Sequence, residues 1–186
     1  MNADQPGEGT AFGLATHRVP SAQFPSLLEA LGQGKDVART LAAFSVEAET
    51  NKLLPRVPLI DRAFAGVTVE RVLQNLDREA YGKGDDAAFA KAQADVMRTK
   101  SPTSLKIAHE QMRLGATLDF AGAMRTEFRI VNRIARGHDF YEGIRAIIVD
   151  KDSQPRWNPA TLAEVSAAQV AAYFAPLAPQ TEELPL

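Results

Sequence analysis

The sequence predicts an all-α protein, and three observations carry that expectation. Apolar residues recur at spacings of three and four in one stretch after another, which is the period of a single helical face. Serine, threonine, aspartate and proline stand where such stretches begin, and glycine stands where they end. No run of four or more residues reads convincingly as the apolar–polar alternation of a half-buried strand.

Taken in order, residues 1–11 read as a disordered leader, polar and containing Pro6, Gly7 and Gly9. The stretch Gly13 to Ser21 should be extended at Val19, because Val19 precedes Pro20. Phe24, Leu27, Leu28 and Leu31 then form one helical stripe, with Pro25 in the first turn and Gly32 as the stop. Val37, Leu41 and Phe44 form a second. Pro55, Pro58 and Gly66 break residues 51–66 into a loop with a short helical piece from Leu59 to Phe64.

Thr68 is placed to cap a helix whose stripe is Val69, Val72, Leu73 and Leu76. Asp85 is placed to cap another, carrying Phe89, Ala92 and Val96. Ser101-Pro102 is a cap followed by proline at the first helical position, leading a face of Leu105, Ala108 and Met112 that Gly115 ends. The longest helix is expected over Leu118 to Arg136, with Phe120, Met124, Phe128, Val131 and Ile134 in register. A last helix is expected around Gln169 to Phe174. Residues 12–174 thus read as one helical region and 175–186, rich in proline and acidic residues, as a flexible tail.

Composition narrows the function classes. The chain has 186 residues, 45% hydrophobic and 24% charged, the mix of an ordinary globular domain with a real core. A net charge of −2 favours neither nucleic acid nor an anionic membrane as partner. Absence of cysteine excludes disulfides, thiol catalysis and zinc–thiolate sites, and fits a reducing compartment, taken to be the cytoplasm. No apolar run reaches the roughly 18 residues of a membrane span.

The stretch from Arg136 to Trp157, RGHDFYEGIRAIIVDKDSQPRW, is the most informative. Asp139 followed by Glu142 has the spacing of a capping box. Phe140, Ile144, Ile147 and Ile148 lie on one helical face. Gly143 costs such a helix about 1 kcal/mol relative to alanine, so it points to close approach of another backbone or a ligand. Trp157, the only tryptophan, reads as an anchor that packs the following chain back onto the helices.

This stretch resembles the C-terminal part of 3-hydroxyisobutyryl-CoA hydrolases, members of the enoyl-CoA hydratase/isomerase (crotonase) superfamily. Their pattern R-G-H-D-F-x-E-G-x-R-A-x-x-x-D-K-D-x-x-P-x-W is carried here by Arg136, Gly137, His138, Asp139, Phe140, Glu142, Gly143, Arg145, Ala146, Asp150, Lys151, Asp152, Pro155 and Trp157. The segment Gly13 to Ser21 is similar to a G-L-A-T-H-x-V-P-S stretch of the same family, and Lys100 to Ile107 to its S-P-T-S-L-K segment. Arg18 departs mildly from the family, standing where an aromatic residue is usual.

The resemblance implies acyl-CoA thioester hydrolysis in valine catabolism. It also implies that the oxyanion hole and the catalytic acids belong to a β-containing core preceding the Gly13 segment. No residue of this chain matches a family catalytic residue, and the sequence contains no Gly-Gly dipeptide. The expectation is therefore the all-α, multi-helix C-terminal region of a crotonase-like hydrolase, as a fragment or split subunit without that core. The alternative is a non-catalytic helical module for oligomerisation or interaction. The implied ligand is an acyl-CoA, held only with a catalytic core present, and the implied partner is that core chain or further copies of this one.

No catalytic residue, metal ligand or cofactor is assigned. His17, His109 and His138 lack partners at metal-ligand spacing, and Arg113 stands where a second zinc-binding histidine would follow His109-Glu110. Two candidate substrate-binding residues come from the resemblance, at the nucleotide end of CoA. Lys151 is either a point charge for a phosphate or a solvated loop lysine, and Phe140 either lies beside the adenine or packs in the core.

Overall fold

The computed structural model describes residues 8–47, 53–177 and 183–185. Among them the chain is helical and no strand occurs, as the periodicity requires. It divides into two compact units, Met1–Arg62 and Ala63–Leu186.

In the first unit a single helical turn, α1 (Glu8–Ala11), falls within the expected leader, whose residues 1–7 lie outside the described chain. α2 (Phe24–Gly32) begins with Pro25 in its first turn and packs against α3 (Val37–Phe44). Asp36 caps α3 by accepting from the Arg39 N–H at 2.8 Å. The backbone N–H of Val46 donates to the Arg18 carbonyl at 2.9 Å, returning the end of α3 to the extended stretch before Pro20. The division between the units falls within α4 (Val57–Phe64).

The core of the second unit lies between α5 (Val69–Ala80) and α6 (Asp85–Arg98). Thr68 caps α5 as its position predicts, accepting from the Arg71 N–H at 3.2 Å. Val72 and Leu76 of α5 meet Ala90 and Ala94 of α6 in a buried cluster with Ala63. Asn75 is buried beside them and satisfied, its amide donating to the Ala63 carbonyl at 3.2 Å. Gly66 permits this approach, because a Cβ there would lie 2.8 Å from the Val72 nitrogen.

Two expectations for α6 are corrected. The cap position is Gly84, at φ 87°, and Asp85 is the first helical residue. The buried face is Ala87, Ala90 and Ala94 rather than Phe89, Ala92 and Val96. Small residues let two helix axes come close, so the alanine stripe outcompetes the larger one for the α5 interface. A hydropathy period alone does not see that preference.

α7 (Pro102–Gly115) starts where Ser101-Pro102 predicts, with the Ser101 hydroxyl accepting from the Ser104 N–H at 3.1 Å. Lys106 of α7 pairs with Glu70 of α5 at 2.8 Å and donates to the Val165 carbonyl at 3.0 Å. His109 bonds the Gly66 carbonyl at 2.9 Å. α8 (Phe120–Ile134) is capped by Asp119, and α9 is His138–Ile144. α10 (Ala167–Phe174) opens with a capping box of Ser166 and Gln169 and packs on α7 and α8.

The apolar faces of α7 and α8 are only partly buried. Met112 and Phe120 are 79% and 78% exposed, and the buried apolar side chains of these helices are Pro102, Ile107 and Ile130. Residues 178–182 and 186 of the expected tail lie outside the described chain, while the N–H of Leu177, itself buried, donates to Glu183 at 2.6 Å.

The α5–α6 contact yields a paired prediction. Ala90→Leu should destabilise by about 1–3 kcal/mol through overpacking, whereas Ala92→Leu on the exposed face should stay within about 0.5 kcal/mol. Denaturant unfolding of both variants checks this. Equal effects would refute the assigned face.

Candidate functional site

An open groove of about 890 Å³ runs between α7, α9, the 153–158 segment and Tyr173 of α10. One wall is the stripe Phe140, Ile144, Ile147 and Ile148, on one face as the spacing predicts. The facing wall carries Leu105, Ile107 and Ala108. The stripe faces open space, with Phe140, Ile147 and Ile148 43%, 67% and 63% exposed. Within this chain Phe140 is thus on the groove surface rather than in the buried core. Its ring packs edge-on against Tyr141, with centroids 5.4 Å apart.

The polar end of the groove is built on Asp139. One carboxylate oxygen accepts from the Ser101 hydroxyl at 2.5 Å. The other accepts from the Asn158 N–H at 2.9 Å and lies 3.0 Å from His138 Nδ1. Two segments distant in sequence are thus pinned to one carboxylate at the start of α9. Trp157, next to Asn158, donates its indole N–H to the Thr99 carbonyl at 2.9 Å. The indole rests over Gly143, where a Cβ would lie 3.5 Å from the ring. The close neighbour of Gly143 within the chain is this side chain rather than another backbone, and the anchoring role expected of Trp157 is the one it performs.

The capping box expected at Asp139 and Glu142 is not formed. Gly137 occupies the cap position with no side-chain cap, and both carboxylates take other partners. Glu142 accepts from Arg145 at 2.8 and 2.9 Å and from the Arg156 N–H at 2.7 Å. Asp139 is taken by donors from remote segments, and Glu142 by Arg145 three residues on together with the Arg156 N–H.

Arg145 organises the end of the groove. Beyond Glu142 it donates to Asp150 at 2.6 Å, to Asp152 at 2.8 Å and to the Gln154 carbonyl at 3.1 Å. Here the helix widens into a π-helical segment, Arg145–Val149, closed by the Asp150 N–H on the Arg145 carbonyl at 2.8 Å. Lys151 and Ser153 follow at φ 56° and 54°, a left-handed conformation that costs a non-glycine residue about 1 kcal/mol or more. The Arg145 fork, reaching both carboxylates of this turn, overdetermines it. The same contacts shift the charges: Arg145 and then the Arg156 N–H lower the Glu142 pKa to about 2, and Arg145 likewise lowers that of Asp152. Its three carboxylate partners raise the Arg145 pKa in turn.

The two candidate ligand residues part company. Phe140 lines the groove. Lys151 is exposed on the strained turn beside it and is not a lining residue. Sequence reasoning missed the clasp between Ser101 and Asp139, because each had a sufficient local explanation as a cap. It also passed over Arg145, although acids three residues before and five and seven after it were a visible signal. Among the described residues, no group of three or more histidine, aspartate or glutamate side chains is placed to hold a metal ion. No helix there is long and apolar enough to cross a membrane.

A model of the Enoyl-CoA hydratase/isomerase family matches residues 5–174. The chain is 37% identical over 175 residues to mitochondrial 3-hydroxyisobutyryl-CoA hydrolase of Danio rerio, covering 89% of this chain and 44% of that one. For the Homo sapiens protein of the same name the identity is 33% over 172 residues, covering 87% and 43%. The chain therefore spans less than half the length of these curated relatives. The names place those relatives in mitochondria, in contrast to the cytoplasm expected for this chain. In structure it is similar to a carnitinyl-CoA dehydratase from Mycobacterium thermoresistibile, with TM-score 0.80 and 34% identity over 92% of this chain and 48% of that one. It is also similar to an enoyl-CoA hydratase from Rhodobacter sphaeroides 2.4.1, with TM-score 0.78 and 33% identity over 97% and 50%.

The Glu142 contacts predict an acid-side stability change. A carboxyl whose pKa falls from 4.5 to about 2 on folding adds stability that is fully present above the unfolded value and is lost as pH falls through the folded one. Glu142→Gln should flatten the dependence of the unfolding midpoint on pH between those two values. An unchanged slope in a pH series of thermal melts would overturn the assignment.

Proposed function

The chain belongs to the enoyl-CoA hydratase/isomerase family, and on that premise we propose that it is the helical half of a 3-hydroxyisobutyryl-CoA hydrolase-like enzyme. It supports acyl-CoA thioester hydrolysis, in valine catabolism, when joined to a glycine-rich core that supplies the oxyanion hole and the acids. The observation that carries this reading is the groove: an apolar stripe running from α9 into the π-helical segment, on one face yet left open, with apolar residues of α7 lining the same groove. A periodic face of this kind is built to be covered. Phe140 in the groove and Lys151 beside it are assigned to the nucleotide end of the CoA. We keep the cytoplasm as the proposed compartment, on the cysteine-free composition.

A second reading is a non-catalytic association module. It is favoured by Met112, which with Leu118 lines a separate groove of about 380 Å³ between α7 and α8, and by exposed Phe120 nearby in sequence.

Thiol release from 3-hydroxyisobutyryl-CoA separates the two. The chain alone should show no turnover above background, and a separately expressed crotonase core should become active only when this chain is added. Turnover by the chain alone would overturn the proposal. A core equally active without it would favour the association module.

In that assembled enzyme, Lys151→Ala should raise KM for the acyl-CoA about fivefold, about 1 kcal/mol, and leave kcat unchanged, as loss of uniform binding does. The effect should shrink with added salt and vanish for a pantetheine ester without the nucleotide. Equal changes for both substrates, or none, would return Lys151 to a solvated loop residue.

A further inference from the structure

We propose that Glu183 is a latch on the C-terminal end of α10: by holding Arg129 of α8 and the Leu177 N–H together, it clamps α10, and with it the Tyr173 wall of the groove, against α8. This goes beyond the hydrolase reading and stands or falls independently of it.

A helix ends with carbonyls that lack intrahelical partners, and something must satisfy them. α10 ends at Phe174 and the next residue, Ala175, is extended, so the backbone does not turn back to do so. Two arginines from α8, one turn apart, take over. Arg133 donates to the Tyr173 and Pro176 carbonyls, each at 3.1 Å, and Arg129 donates to the Phe174 carbonyl at 3.3 Å. Cations here also oppose the negative end of the helix dipole.

Arg129 does not hold that position unaided. Its Nε–H lies 3.0 Å from both Glu183 oxygens, and the two side chains are only 24% and 19% exposed. The same carboxylate accepts the Leu177 N–H at 2.6 Å, where Leu177 is buried. The Leu177 N–H, and then Arg129, keep the Glu183 carboxyl charged by lowering its pKa. One side chain thus satisfies the chain just past α10 and orients the arginine that satisfies α10 itself. Tyr173, whose carbonyl Arg133 holds, lines the groove together with the Phe140–Ile148 stripe. Fixing the end of α10 fixes that wall.

The full-length chain tests this with Glu183→Gln, which keeps the size and removes the charge, and Arg129→Lys, which keeps the charge and removes the fork. Amide hydrogen exchange of residues 167–177 should speed by about tenfold or more in both variants, as loss of a charged hydrogen bond implies, with α5 and α6 unchanged. Emission of Trp157, which also lines the groove, should shift, and the affinity of an anilinonaphthalene dye for the groove should change severalfold. Exchange at 167–177 equal to the parent chain, or acceleration spread evenly over α5 and α6, would overturn the latch. Local loosening with unaltered Trp157 emission and dye affinity would overturn its link to the groove.

Discussion

The second unit depends on one carboxylate. Asp139 joins the start of α7, through the Ser101 hydroxyl, to the start of α9 and to the backbone of Asn158. A half-buried carboxylate without donors would carry a desolvation cost, and here each oxygen has at least one. Once these bonds form, Trp157 is delivered over Gly143 and its N–H to Thr99. The groove is the space left between elements whose spacing that clasp sets.

Burial is the second constraint. α5 and α6 can bury their stripes on each other, because alanines on one fit valine and leucine on the other. α7, α8 and the stretch from α9 into the π-helical segment each carry apolar residues that the described residues leave largely exposed: Met112, Phe120 and Ile147. The hydrophobic effect favours covering such surface at about 25 cal/mol per Å². A stripe preserved in helical register but uncovered is therefore best explained by a partner surface. This is also why the shared half-length match to acyl-CoA enzymes bears on function rather than on fold alone.

Arginine forks do the local fastening around that face. Arg145 binds three carboxylates and a carbonyl and so holds Lys151 and Ser153 in a conformation they would not adopt freely. Arg129 and Arg133 close the end of α10 in the same manner. In both places a planar group with several donors satisfies backbone and side-chain acceptors at once, which a lysine cannot do. The loops at the rim of the groove are shaped by charge rather than by apolar contact.

The sequence alone determined what depends on neighbours within a few residues. The helix starts at Thr68 and Ser101 were legible because a cap bonds three residues ahead, and the shared face of Phe140, Ile144, Ile147 and Ile148 because a helix repeats every 3.6 residues. The family was legible too, since linear motifs carry lineage. Only the tertiary structure decided which stripe is inside. Ala87, Ala90 and Ala94 were chosen over Phe89 and Val96 by how closely α5 could approach, a property of two surfaces. It likewise turned Asp139 and Glu142 from caps into bridges: Ser101 and Asn158, 38 and 19 residues away, donate to Asp139, and Arg156, 14 residues away, joins the nearby Arg145 on Glu142. A hydrogen bond is set by distance in space, and beyond one helical turn the order of residues does not specify it.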